Sequence, residues 1–311
     1  MTDVVVVAFG GNALWPRDSR GETAEQLARA RRACAPLVDR LRAGARLVIV
    51  YGNGPQVGAE LLRHEAARRD VAPAPLDACV AATQGSMGYM LELALRAEVE
   101  RAGVDVPVTS IATLVRVDTA DRAFATPDKP VGPFYDATTA ARLRDRGWTL
   151  VEQPGGGFRR VVPSPRPLEL VDAAAIHALL AAGHVVLAGG GGGIPVARGA
   201  GGALVGVEAV IDKDHTAALL GRVVAARELY DLTTVDYVYR SYGRPDAVPM
   251  PALTTAEARR LAVAGEFPAG SMGPKIEAAL AFLETGERVL ITALPRLADA
   301  LAGRCGTWVT R

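Results

Sequence analysis

The sequence predicts an α/β fold: a mainly parallel sheet with helices on both faces. Short apolar runs end in glycine at VVVVAFGG (4–11), ARLVIVYGNG (45–54) and HVVLAGGGGG (184–193), as buried strands do when they run into loops. Helical patterns alternate with these runs, and such alternation builds parallel sheets covered on both sides. At 311 residues, 50% hydrophobic and 22% charged, the chain has length and apolar content for one large domain or two modest ones.

After the first strand, TAEQLARARRACAPLVDRLRAG (23–44) reads as a helix, opened by a Thr23/Gln26 capping box and stopped by Gly44. Residues 76–103, 168–182, 272–286 and 295–303 read as further helices, and Thr254 with Glu257 forms a second capping box. RVLITAL (288–294) and the terminal GTWVTR read as later strands. The stretch from about 115 to 165 is rich in Pro, Gly and charge and breaks the rhythm. It reads as an inserted lobe with hairpin character, expected to act as a lid. A second boundary is expected near 220, dividing the chain into 1–220 and 221–311.

Net charge is +1 with no block of like charges, which argues against nucleic acid or an acidic membrane as partner. The run in MTDVVVVAFGG follows an acidic residue and is short for a signal peptide, and no stretch reaches the length of a membrane span. Cys34, Cys79 and Cys305 are few and scattered, so neither a disulfide framework nor a zinc site is expected, and a reducing cytoplasm fits. His64, His177, His184 and His215 are too dispersed to suggest a metal cluster.

Lysine is rare: Lys129, Lys213 and Lys275 are the only three among 35 Lys and Arg. Asparagine occurs twice, as Asn12 in GGNAL and Asn53 in YGNGP. A composition rich in Ala, Arg and Gly exchanges surface lysine readily, so the few that stay are enriched where chemistry resists exchange. Lysine offers a compact ammonium on a flexible stem, whereas arginine offers a planar fork.

Gly10-Gly11-Asn12, Gly52-Asn53-Gly54 and Gly189 to Gly193 fall at the carboxyl ends of the predicted strands, where such sheets bind ligands. Glycine lets backbone N–H groups approach an anion. Tight strand–helix turns are the plainer alternative. The chain lacks G-x-x-x-x-G-K-[ST], its glycine run does not give G-x-G-x-x-G, and protein-kinase and serine-hydrolase signatures are missing. What is left is lysine, aspartate and backbone amide, a set suited to phosphoryl transfer. Asp212 and Asp214 flank Lys213; an aspartate there can orient lysines, help hold Mg²⁺, or cap a helix.

GGNAL, GNGPQVG, TQGSMGY, KPVGPFY, RRVVPSPRP, GGGGGIPV, GVEAVIDKD, LTTVDYVY and GSMGPKIEAA occur in the order found in carbamate kinases of the amino acid kinase superfamily. The resemblance spans about residues 5–311. It implies a three-layer αβα sandwich, a homodimer, and reversible phosphoryl transfer between MgATP and carbamate. It implies an acceptor-binding half at 1–220 and a nucleotide-binding half at 221–311. By this resemblance Lys129, Lys213, Asp214 and Lys275 are catalytic, with Asp214 organising the lysines. Gly10, Gly11, Asn12, Gly52, Asn53 and Gly54 surround the carbamate and the transferring phosphoryl. Thr233, Asp236, Tyr239, Met272 and Lys275 lie on the nucleotide side, with Mg²⁺ carried by ATP rather than by a protein-only cluster. Tyr51 stands where the family usually has histidine, His215 where it is usually aliphatic, and ELYDLTTV (228–235) is more polar than the usual strand. A kinase for another small carboxylate or phosphonate, and a non-catalytic nucleotide-binding regulator, are the alternatives.

Overall fold

The computed structural model describes residues 3–15, 19–153, 156–268 and 271–311, excepting the side chains of Asn12 and Ala13. The chain opens with β1 (Val4–Phe9), α1 (Gly11–Leu14), α2 (Thr23–Arg42), β2 (Arg46–Tyr51), α3 (Gly54–Ala66), α4 (Leu76–Arg101) and β3 (Val108–Ser110). Next come β4 (Leu114–Arg116), β5 (Lys129–Tyr135), α5 (Ala137–Arg144), β6 (Leu150–Glu152) and β7 (Phe158–Val162). The return passes through β8 (Glu169–Leu170), α6 (Ala173–Ala181), β9 (Val185–Leu187), β10 (Ile194–Arg198), β11 (Leu204–Gly206) and α7 (Lys213–Val223). Last are β12 (Glu228–Thr233), β13 (Val238–Arg240), β14 (Val248–Met250), β15 (Ala252–Thr254), α8 (Thr255–Val263), α9 (Met272–Phe282), β16 (Arg288–Ala293), α10 (Leu297–Leu301) and β17 (Thr307–Thr310).

Eight strands form one sheet in the order β15-β17-β16-β12-β1-β2-β9-β3. Every pairing in it is parallel except β16 with β17. Side chains alternate between two cores, as the two-residue strand period requires. Val6, Ala8, Val48, Val50, Leu229 and Ile291 face α6, α7, α8 and α9. Val5, Val7, Ile49, Tyr51, Tyr230 and Leu232 face α2, α4 and α10. Each valine, leucine or isoleucine among them, once buried, contributes about 1.5–3 kcal/mol, so the two apolar sets fix which face each strand shows. The result is the three-layer αβα sandwich.

Several boundaries differ from the sequence-based expectation. α2 begins at Thr23 with Glu22 as its cap residue, and no side chain caps it. Gln26 instead donates to the Gly21 carbonyl at 2.7 Å, so the expected Thr23/Gln26 box does not form. Thr254 does cap α8, accepting from the Glu257 amide at 3.2 Å. The helix expected over 168–182 starts only at Ala173, because Glu169–Leu170 pairs with β4 as a strand. The helix expected over 295–303 shortens to Leu297–Leu301 after a 3₁₀ turn.

The inserted lobe begins later than 115. β4 pairs with β10 and β8 in a separate four-stranded sheet, and the lobe proper is the three-stranded sheet β5-β7-β6 with α5. It carries its own small core of Tyr135, Ala140, Leu143 and Leu150. It sits close against α3: a Cβ on Gly58 would lie 2.2 Å from the Gly132 Cα. The expected boundary near 220 falls inside α7, and the one sheet spans both sides of it.

Candidate functional site

β12, β1, β2 and β9 are neighbours, so the loops that follow them meet at one sheet edge. The Gly52 amide donates to the Phe9 carbonyl at 2.8 Å. A Cβ on Gly11 would lie 2.8 Å from the Gly52 carbonyl oxygen, so these two loops touch only because both lack side chains. Gly10, Gly11, Gly52 and Gly54 therefore come together, with Gly54 opening α3. The Asn53 side chain is buried and donates to Thr83 Oγ1 at 2.8 Å. The side chain of Asn12 lies outside the described residues.

The glycine run at 189–193 is not the open anion cradle that its composition suggests. All five residues are buried. The Gly189 amide donates to Thr113 Oγ1, and the Gly192 and Gly193 amides close turns onto Gly189 and Gly190. Gln84 Nε2 donates to the Gly190 carbonyl at 2.7 Å. A Cβ on Gly191 would strike Asn53 Nδ2 at 2.3 Å, so this run braces Asn53 from behind.

α7 starts where the DKD stretch meets this edge. Asp212 is its cap: its side chain accepts from the Asp214 amide at 2.9 Å. Asp212 also takes an ion pair from Lys129 of β5, which ties the lobe to the start of α7. Burial and the neighbouring Asp214 oppose ionisation of Asp212, and Lys129 is the foremost of the groups that together offset them and hold its carboxyl below the usual range. Asp214 points inward, one of its oxygens accepting from Lys213 and both lying 3.3 Å from Lys275 Nζ. Burial opposes ionisation of Asp214, but Lys213 and Lys275 hold its carboxyl well below the usual range. For Lys213, burial is likewise outweighed, by Asp214, Asp231 and Asp212, and its ammonium is held above its ordinary value.

Two lysines and two aspartates thus share one buried cluster. Exposure is 11% for Lys213, 10% for Lys275, 7% for Asp214 and 3% for Asp231. Asp231 is a member the sequence reading missed; a carboxylate inside the strand ELYDLTTV was the available signal. Beside the cluster lies a cavity of about 1370 Å³ lined by Gly11, Gly54, Lys129, Asp212, His215 and Arg159 among others. Its walls come from both the lobe and the αβα body.

Of the residues expected on the nucleotide side, Thr233 ends β12, Asp236 follows in the next loop, Tyr239 lies in β13 and Met272 opens α9. The Asp236 carbonyl accepts from Thr292 Oγ1 at 3.2 Å. Tyr239 packs between Tyr237 and Tyr242, with ring centroids 6.2 Å and 5.8 Å away. Lys275 is one turn into α9 and points back to Asp214 and Asp231.

The two unusual residues near the site separate cleanly. Tyr51 faces α2 and α4, away from the lysines, and its hydroxyl donates to the Gln84 carbonyl at 2.8 Å. A Cβ on Gly190 would meet the Tyr51 ring at 2.3 Å, so Tyr51 supports the glycine run. Tyr51→Phe is expected to cost about 0.5–1.5 kcal/mol of stability in a denaturant titration, with substrate KM values unchanged. A raised KM for a substrate would instead make Tyr51 a substrate-contacting residue. His215 does border the cavity: its Nε2 lies 3.4 Å from Glu277 Oε2, and its Nδ1 is buried without a partner among the described residues. Burial keeps this ring below its ordinary pKa, hence neutral at pH 7.

Among the described residues no three His, Cys, Asp or Glu side chains lie together as a metal site. Asp214 and Asp231 are each committed to ammonium groups, so the cluster does not suit a divalent ion held by protein alone. The three cysteines are free and buried, and no helix among the described residues is long and apolar enough to cross a membrane.

The family model of the amino acid kinase family matches residues 3–293. The carbamate kinase of Thermococcus kodakarensis is 45% identical, over 99% of this chain and 99% of its own. Carbamate kinase 1 of Enterococcus faecium is 43% identical, with 99% of each covered. Among solved structures, the carbamate kinase from Giardia lamblia bound to AMP-PNP superposes with a TM-score of 0.91 at 38% identity, covering 99% of this chain and 98% of that one.

Proposed function

Because the chain belongs to the amino acid kinase family, in its carbamate kinase branch, we propose that it transfers a phosphoryl group reversibly: ATP + carbamate ⇌ ADP + carbamoyl phosphate. The observation that carries the site assignment is the Lys213–Asp214–Lys275 cluster beside the glycine loops. Carbamate is a weak nucleophile, so holding it in line with the γ-phosphoryl is the main task. The protein needs no covalent intermediate, only oriented charge.

In this proposal the oxygen of carbamate attacks the γ-phosphorus as the bond to the ADP oxygen breaks, and ADP leaves with that electron pair. Gly10, Gly11, Asn12, Gly52, Asn53 and Gly54 surround the acceptor. Lys213 neutralises charge between donor and acceptor oxygens, and Lys275 binds the nucleotide phosphates. Asp214 orients both. Thr233, Asp236, Tyr239 and Met272 line the nucleotide side. Mg²⁺ bound with the nucleotide would supply charge neutralisation there, with no protein carboxylate cluster to hold it among the described residues. Residues 1–220 form the acceptor half and 221–311 the nucleotide half. The protein is proposed to be cytoplasmic and a homodimer; exposed Tyr89 and Leu93 on α4, beside the edge strand β3, offer apolar surface for a second copy.

The direct test is ATP formation from ADP and carbamoyl phosphate with purified protein. No ATP above blank at saturating substrate removes the proposal. A panel of small acids compared with carbamate decides between acceptors.

The lobe acts in this scheme as a lid over the acceptor, bringing Lys129 to it. Lys129→Ala is expected to raise the KM for carbamoyl phosphate by about tenfold or more, the worth of one charge-assisted bond, with a smaller change for ADP. Equal rises for the two substrates would take Lys129 off the acceptor side.

A further inference from the structure

Asp231 has no part in the roles above, yet it holds the closest contact that Lys275 makes in the cluster. It lies mid-strand in β12, in register with Ala8 of β1 and Ile291 of β16. Strand alternation turns it to the face that carries α7 and α9. A carboxylate buried between alanine and isoleucine is costly unless cations meet it. Two do: Lys275 Nζ at 2.8 Å and Lys213 Nζ at 3.4 Å, both on the same oxygen. Lys275 is farther from Asp214, at 3.3 Å from each oxygen. The other carboxylate of the strand, Glu228, is accounted for differently. It sits at the opposite end of β12 and pairs with Arg40 and Arg288.

We propose that Asp231 is a positioning residue of the phosphoryl-transfer site, holding the ammonium of Lys275, and through the shared oxygen that of Lys213, in place while nucleotide phosphates share them. This rests on the phosphate roles proposed for the two lysines. With Asp214 alone, two ammonium groups would carry one uncompensated positive charge. Asp231 makes the unliganded cluster neutral. Phosphate oxygens must then compete with a carboxylate for Lys275, which weakens ground-state nucleotide binding. The same carboxylate keeps both lysines in one orientation for the transition state. Restraining ground-state binding while keeping transition-state contacts favours turnover over retention of product.

The test is Asp231→Asn, which keeps shape and one acceptor oxygen but removes the charge. MgADP affinity is measured by titration calorimetry without the second substrate, together with kcat. ADP is expected to bind on the order of tenfold more tightly, since a full charge a few ångströms away is worth at least that even at a protein's effective dielectric. In the same variant kcat falls. Asp231→Glu, which restores the charge, returns ADP affinity toward the parent value. A purely structural role predicts lower kcat with ADP affinity unchanged or weaker, and that result overturns the proposal. Parent-like behaviour in both measurements overturns it too. If Asp231→Asn does not fold, Asp231→Thr is measured in the same way, its β-branched side chain suiting a strand. Failure of both to fold assigns Asp231 to the fold and ends the proposal. Lys275→Ala run alongside separates the two levels: full activity there refutes the lysine's phosphate role, whereas its loss beside a parent-like Asp231→Asn refutes only the inference.

Discussion

Lys213→Arg, although it keeps the charge, is expected to lower kcat for ATP formation by about 10²-fold or more, the cost of losing one oriented transition-state donor. The reason is geometric. The Lys213 stem passes close to Gly52, where even an added Cβ would come within 3.2 Å of its Cδ. Its ammonium then reaches Asp214 and sits 3.4 Å from Asp231. A guanidinium is longer and planar, and two carboxylates nearby would take its fork in parallel hydrogen bonds. Those bonds hold the group on the protein and away from transferring oxygens. The ion pairing persists, so the melting temperature should change little while kcat collapses. Stability and kcat are therefore measured together. Near-parent turnover in this variant would remove Lys213 from the transferring position.

Much of the architecture was readable from local pattern. The valine run of β1 and the apolar run of β2 read as interior strands, and the glycine loops after them do meet at one sheet edge, whereas the third glycine run is buried behind Asn53. The lysines stood out because composition made them rare. What escaped notice depends on contacts between distant segments. Lys129 meets Asp212 across 83 residues, a pairing that no spacing rule supplies. Asp231 was visible as an odd polar residue, but its partners come from α7 and α9, and only the strand register turns it toward them. The DKD stretch divides its work: Asp212 caps the helix and Asp214 orients lysines. Both functions suit an aspartate at a helix start, so residue type alone could not assign them. Tyr51 shows the converse. Its place beside Gly-Asn-Gly suggests a site residue, while alternation along β2 sends it to the opposite face with Leu47 and Ile49.

Asp214→Ala is expected to be the most damaging single change in the cluster. It strips Lys213 and Lys275 of a shared partner and leaves two buried ammonium groups on Asp231 alone. Breaking a buried ion pair from one side costs about 3–5 kcal/mol. For a domain of this kind that lowers the melting temperature by on the order of ten degrees. Turnover should fall by about 10³-fold, because both lysines lose their orientation at once. Asp214→Asn separates the two effects, keeping shape and an acceptor but no charge. Acid provides the matching control. The Asp214 carboxyl is held below its ordinary value in the folded chain, so its contribution to stability is complete above about pH 4 and fades as pH falls further. The stability gap between parent and Asp214→Asn should therefore be widest near neutrality and narrow toward about pH 3, as read from denaturant midpoints. A gap that stays constant over that range would mean that Asp214 supports the fold by shape rather than by charge, and its hold on the two lysines would have to be assigned to Asp231.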